Sequence, residues 1–151
     1  MQPPPVAVFV YGTLQRGERN FAVSQRAGWL RSERAWVQGF QLFHLPPQEH
    51  RPYGYPALVE GEGVVWGEVQ WFSDLPAALQ LLDELEEEGR EYRRIEATAL
   101  LPGGLEPHGF EPVREVRVWV YAYPDRAAIA QARGVPVPDG LWSEADVWAV
   151  E

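Results

Sequence analysis

Apolar residues fall in short blocks along this chain. Residues 6–11 (VAVFVY) are continuously apolar and rich in β-branched and aromatic side chains, the pattern of a buried strand, and Gly12 ends it. Residues 16–20 are polar, and 20–30 accommodate a short helix ending near Gly28. Residues 35–44 (AWVQGFQLFH) predict a second strand, weakened by Gly39, followed by a Pro- and Gly-rich loop over 46–56. Residues 63–72 alternate: Val65, Gly67, Val69 and Trp71 share one face, Glu68 and Gln70 the other. Residues 92–101 and 114–121 alternate too, with Ile95, Ala97 and Ala99 on one face of the first and Val116, Val118 and Val120 on one face of the second. Between them, 102–112 (PGGLEPHGFEP) reads as a surface loop.

The main predicted helix runs over about 74–88. Ser73 or Asp74 is its N-cap, Pro76 sits in its first turn and Gly89 stops it. A shorter helix is predicted over 124–133, stopped by Gly134, and a tail with Pro136, Pro138, Asp139 and Gly140 leads to Leu141 and Trp142. The strands follow one another too closely for regular βαβ units. The expectation is therefore an α+β fold: a small mixed, mostly antiparallel β-barrel with one main helix and one or two short ones. No repeat, low-complexity tract or long linker divides residues 1–151, which read as a single domain.

Composition narrows the chemistry. Cysteine is absent, which removes disulfides, thiolate nucleophiles and Cys-based zinc sites. All 13 basic residues are Arg, so Schiff-base chemistry and a lysine-type phosphate loop are excluded. The net charge is −9 and the bases are dispersed, which argues against nucleic acid and anionic membranes as partners. The start, MQPPP, carries no basic, apolar leader, and no apolar run approaches the roughly 20 residues of a membrane span. A soluble, cytoplasmic protein is the expectation. His44, His50 and His108 lack ligand spacing, so no metal is expected, and no nucleophile-elbow or dinucleotide motif occurs.

Two places remain. Residues 82–88 (LDELEEE) hold five acids, and an acidic run is ordinarily a solvated face. At about 100° per residue, Leu75, Ala78, Leu79, Leu81, Leu82 and Leu85 define the apolar direction. Asp83, Glu84, Glu87 and Glu88 lie about 100° or more from it and should face water, whereas Glu86 lies only about 60° away. A carboxylate at that border loses water, which raises its pKa and suits it to proton exchange near neutrality. A structural ion pair with Arg93 or Arg94 accounts for the position equally well. Asp83 and Glu86, one helical turn apart, cannot flank a sugar bond as glycosidase carboxylates do. The second place is Tyr11-Gly12-Thr13-Leu14, where a strand leaves through a glycine. Gly allows close approach to the main chain, and such a turn can offer successive N–H groups to an anion or carbonyl oxygen. An ordinary turn explains the same residues.

Taken in order, these segments resemble the γ-glutamylcyclotransferase superfamily, AIG2-like (γ-glutamylamine cyclotransferase-like) branch. The resemblance runs through Val8-Phe9-Val10-Tyr11-Gly12-Thr13-Leu14, Arg16-Gly17, Asn20, Tyr55-Pro56-Ala57-Leu58, Val65-Trp66-Gly67-Glu68-Val69, Leu82-Asp83, Glu86, Tyr92, Arg94, Val120-Tyr121 and Gly140-Leu141-Trp142. Leu141 stands where many members have Asp. The resemblance implies a cofactor-independent enzyme that closes a γ-glutamyl amine or γ-glutamyl amino acid to 5-oxoproline and frees the amine. By the same resemblance Glu86 is the general acid/base. Tyr11, Gly12, Thr13, Leu14, Tyr92, Pro56 and Ala57 bind the small-molecule γ-glutamyl substrate. Two other readings are a non-catalytic binding module on the same barrel and an interaction module built on an exposed surface of the seven Trp.

Overall fold

A computed structural model describes residues 2–48, 53–86, 92–103, 105–106, 109–110 and 113–142. In chain order the elements are β1 (Ala7–Val10), α1 (Phe21–Arg26), β2 (Trp29–Leu45), β3 (Tyr55–Phe72), α2 (Leu75–Glu86), β4 (Arg93–Leu101), β5 (Leu105–Glu106), β6 (Gly109–Phe110), β7 (Arg114–Ala122), α3 (Arg126–Gln131) and β8 (Val135–Pro136). The sheet order is β3-β1-β7-β4-β2-β8, and a further β2–β3 pairing closes five of these strands into a ring. Only β1 and β7 run parallel, so the expected mixed, mostly antiparallel barrel is what forms.

The barrel has two cores, and strand alternation decides which residue enters which. Ala7 and Phe9 point inside with Val37, Val65, Val69, Val118 and Val120. Val8 and Val10 point outward beneath the helices, with Leu14, Tyr55, Ala78, Leu79, Leu82 and Tyr121. Strand β1 is buried on both faces, and each of its four positions is apolar. Helix α2 closes the outer core with Ala78, Leu79 and Leu82. Asp74 caps it: its carboxylate accepts the Ala77 N–H at 3.1 Å, filling one of the helix's open donors. Asp125 caps α3 in the same way, accepting from Ala128 at 2.8 Å.

Several boundaries move. Strand β2 begins at Trp29, six residues before the expected start, because the polar stretch from Arg31 to Arg34 pairs with Trp71 to Glu68 of β3. Strand β3 begins at Tyr55 inside the expected loop, since Tyr55 to Val59 pair with Leu45 to Gln41. Backbone pairing outweighs side-chain polarity at 31–34, whereas 55–59 (YPALV) is itself apolar and buried. Gly39 does not weaken β2 but bends it. It has φ +87 at a register shift between Gln38 and Phe40, and beyond it the inward-facing parity changes from Val37 to Leu42. The expected loop over 102–112 contains the short β5–β6 ladder. The end of α3 is turned by Arg133, at φ 62, rather than by Gly134. Glu87, Glu88 and Gly89 lie outside the described residues, as do His50 and His108.

The six described tryptophans do not form an exposed surface. Trp142 is buried, Trp36 and Trp66 lie against each other at 5.1 Å, Phe21 packs edge-on to Trp29, and Arg31 and Arg94 cover Trp71 and Trp119. No helix among the described residues is long and apolar enough to cross a membrane. No group of His, Asp and Glu among them is arranged to hold a metal ion.

Candidate active site

At the end of β1 the chain turns sharply under β3. A Cβ on Gly12 would overlap the Pro56 ring, at 2.9 Å from Cδ and nearer still to Cγ, so only glycine permits this approach. The turn is held by its carbonyls. That of Gly12 accepts from Gln15 N at 3.1 Å, that of Thr13 from Asn20 N at 2.7 Å, and that of Leu14 from the Gln70 side chain at 3.0 Å. Among the described residues no acceptor takes the backbone N–H of Gly12, Thr13 or Leu14. Three successive donors are thus left over at one wall, an arrangement suited to a carboxylate or a carbonyl oxygen gaining charge.

The support beneath the turn is a buried polar cluster. Gln70 is fully buried; its amide donates to the Leu14 carbonyl and to Glu68 Oε1, each at 3.0 Å, and accepts from Ser24 Oγ at 2.8 Å. Glu68 Oε1 also accepts the Arg16 N–H at 2.8 Å. The polar face of β3 that alternation predicted is therefore not solvated but covered by α1 and the turn.

Beside the turn lies an open cleft. Phe9 to Leu14, Tyr55, Pro56, Glu86, Tyr92 and Tyr121 line it. The structure thus brings Glu86, the half-buried last residue of α2, to the same cleft as the Tyr11 turn, Pro56 and Tyr92. Ala57 is not part of it. Tyr55 and Ala57 share a face of β3, but only the tyrosine ring reaches the cleft, while the Ala57 methyl stays in the outer core.

Three of the tyrosines around the cleft spend their hydroxyl hydrogens on the protein. Tyr11 donates to the Tyr121 carbonyl at 2.5 Å, Tyr92 to the Pro56 carbonyl at 2.6 Å, and Tyr121 to Asp83 Oδ1 at 2.6 Å; the Tyr55 and Tyr123 hydroxyls pair at 3.5 Å. Asp83 was expected to face water. It is instead partly buried: Arg94 of β4 holds both of its oxygens, at 3.0 and 3.3 Å, and the Tyr121 hydroxyl joins them. A helical wheel sees only the helix, whereas these partners come from the barrel beneath. Arg94 is thereby the partner of Asp83 rather than of Glu86. Burial pushes the Tyr121 hydroxyl far above its ordinary pKa, and the neighbouring charges of Asp83 and Glu86 add to this, so it stays protonated.

Tyr55, Tyr121 and Asp83 are absent from the sequence-based site. Tyr121 was legible as a strand residue and Asp83 as a surface acid; their shared hydrogen bond joins positions 38 residues apart and leaves no local signal.

Residues 8–144 match the family described as Gamma-glutamyl cyclotransferase, AIG2-like. No curated protein matches the sequence. Among solved structures, an AIG2-like protein of Mus musculus shares 25% identity at TM-score 0.57, covering 81% of this chain and 79% of its own. An uncharacterised protein of Pyrococcus horikoshii shares 20% identity at TM-score 0.57 over 95% of each chain. A structure described as a gamma-glutamyl cyclotransferase shares 22% at TM-score 0.55, covering 80% of this chain and 67% of its own.

Proposed function

This chain belongs to the Gamma-glutamyl cyclotransferase, AIG2-like family, and we propose that it cyclises a γ-glutamyl amine or γ-glutamyl amino acid to 5-oxoproline, releasing the amine. The observation that carries this reading is the meeting of Glu86 with the Gly12–Leu14 donors around one cleft. In the reaction the Glu86 carboxylate takes a proton from the substrate's α-ammonium. The freed amine attacks the γ-carbonyl carbon, a new C–N bond closes a five-membered ring, and the carbonyl oxygen gains negative charge. The original amide C–N bond then breaks as Glu86 returns its proton to the departing amine; the second proton that the ring nitrogen must shed follows by way of Glu86, so the lactam is neutral and the amine leaves as its ammonium. Atoms balance without water or a second reactant. The enzyme's contribution is to fold the substrate into attacking geometry, where an intramolecular step gains a high effective molarity, and to stabilise the charge that develops.

Incubation with γ-glutamyl amines and γ-glutamyl dipeptides, with 5-oxoproline as the readout, tests the proposal. Glu86→Gln keeps the shape but removes the base, and turnover is expected to fall by at least about 100-fold while the fold and ligand binding persist. Undiminished 5-oxoproline release by this variant would overturn the assignment. Binding without release by the wild type would leave a binding module on the same barrel.

A further inference from the structure

The cleft has a polarity set by its hydrogens. Among the described residues it offers three unclaimed backbone N–H groups, those of Gly12 to Leu14. Glu86 and Tyr121 line the same cleft, and Tyr121 has already given its hydrogen to Asp83. A hydroxyl whose hydrogen is committed presents only lone pairs to anything else. Asp83 cannot release that hydrogen cheaply, because Arg94 fixes both carboxylate oxygens and is itself laid on the Trp119 ring, at 4.5 Å. Asp83 also sits one turn before Glu86 on the same helix face, so the clamp that fixes the tyrosine also ties the last turn of α2 to β4 and β7. That turn carries no basic residue of its own to meet the negative end of the helix, and Arg94 supplies the charge from outside.

We propose that the Tyr121 oxygen accepts a hydrogen bond from the substrate's α-ammonium, and that Asp83, held by Arg94, is the positioning residue that makes this oxygen an acceptor. The assignment rests on the reading that the cleft takes a γ-glutamyl group. It orients the substrate: ammonium toward α2 and its carboxylate or reacting carbonyl toward the turn. The nitrogen that must lose a proton is then delivered beside Glu86.

The test compares two ligands that differ only in the amine: γ-glutamylmethylamide and N-methylglutaramic acid, which lacks the α-amino group. Binding is measured by calorimetry on the Glu86→Gln protein, which holds substrate without consuming it. The amine-bearing ligand is expected to bind about tenfold more tightly, the size of one hydrogen bond to a charged group. Adding Tyr121→Phe should collapse this preference to within about twofold while leaving the affinity for N-methylglutaramic acid unchanged. Adding Asp83→Asn instead should also reduce the preference, because the hydroxyl is no longer held by a fixed carboxylate. Taking the ratio within each variant cancels any general loss of stability. A preference that survives Tyr121→Phe overturns the proposal, and so does the absence of any preference, or of binding, in the Glu86→Gln protein. Failure of the wild-type chain to release 5-oxoproline is a separate result, which refutes the cyclotransferase reading but not the ammonium site.

Discussion

Replacing Gly12 by Ala isolates the contact on which the cleft is built. Gly12 does not adopt a left-handed backbone, so the new methyl group carries no conformational penalty of that kind. Its cost is steric. The added Cβ would stand 2.9 Å from Pro56 Cδ, and closer to Cγ, against a comfortable carbon–carbon separation of about 3.5–4.0 Å. The Pro56 ring has little room to yield. It is flanked in β3 by the fully buried Tyr55 and Ala57, and its carbonyl is tied to the Tyr92 hydroxyl. The turn and the strand must therefore part by on the order of 1 Å. Overpacking of this kind costs about 1–3 kcal/mol, equivalent to a melting temperature lower by about 3–10 °C in a chain of this size. The same displacement moves the N–H donors relative to Glu86, and a misplacement of about 1 Å can cost about 100-fold in rate. Gly39→Ala is the control. Its Cβ would meet nothing within 4 Å, but its φ of +87 suits glycine, so it should lose about 1–2 kcal/mol and keep full turnover. Thermal melting and 5-oxoproline release, measured on both variants, separate the two effects. A Gly12→Ala protein that melts like the wild type and turns over within about threefold of it would refute the reasoning.

The remaining predictions concern buried polar side chains. Gln70→Leu strips the Leu14 carbonyl, Ser24 and Glu68 of a buried partner; it should cost about 2–4 kcal/mol by urea unfolding and raise KM. Gln70→Glu, of equal size, should be worse at neutral than at acid pH, because it sets a second carboxylate against Glu68. His44 accepts the Trp142 indole N–H at Nδ1, at 3.2 Å, and burial holds its pKa below the ordinary 6.5. The unfolded chain therefore binds the proton first, so stability should fall as pH drops below about 6.5 and level off beneath the folded-state pKa, by less than about 1.4 kcal/mol per pH unit. Urea unfolding of wild type and His44→Phe across pH 5–8 checks this; an identical pH profile for the two would refute it.

The barrel was legible because its rules are local. A strand buried among apolar neighbours on both faces shows as an unbroken apolar run, as 7–10 does; a strand whose faces differ shows period two, as 63–72 and 114–121 do. Helix α2 announced itself through Asp74 and its leucine stripe, and that stripe set Glu86 at the border of the buried face and Glu84 in water. Tertiary structure alone decided the rest. Polar residues 31–34 joined β2 because β3 offered them a ladder, and Gly39 became a bend rather than a break once the partner strand fixed its register. Asp83 turned from a solvent-facing acid into the anchor of Tyr121 and Arg94, because a carboxylate goes where donors stand, and these donors come from strands that the helix sequence does not encode. Periodicity records which way a side chain points from its own element; what waits there depends on the other elements.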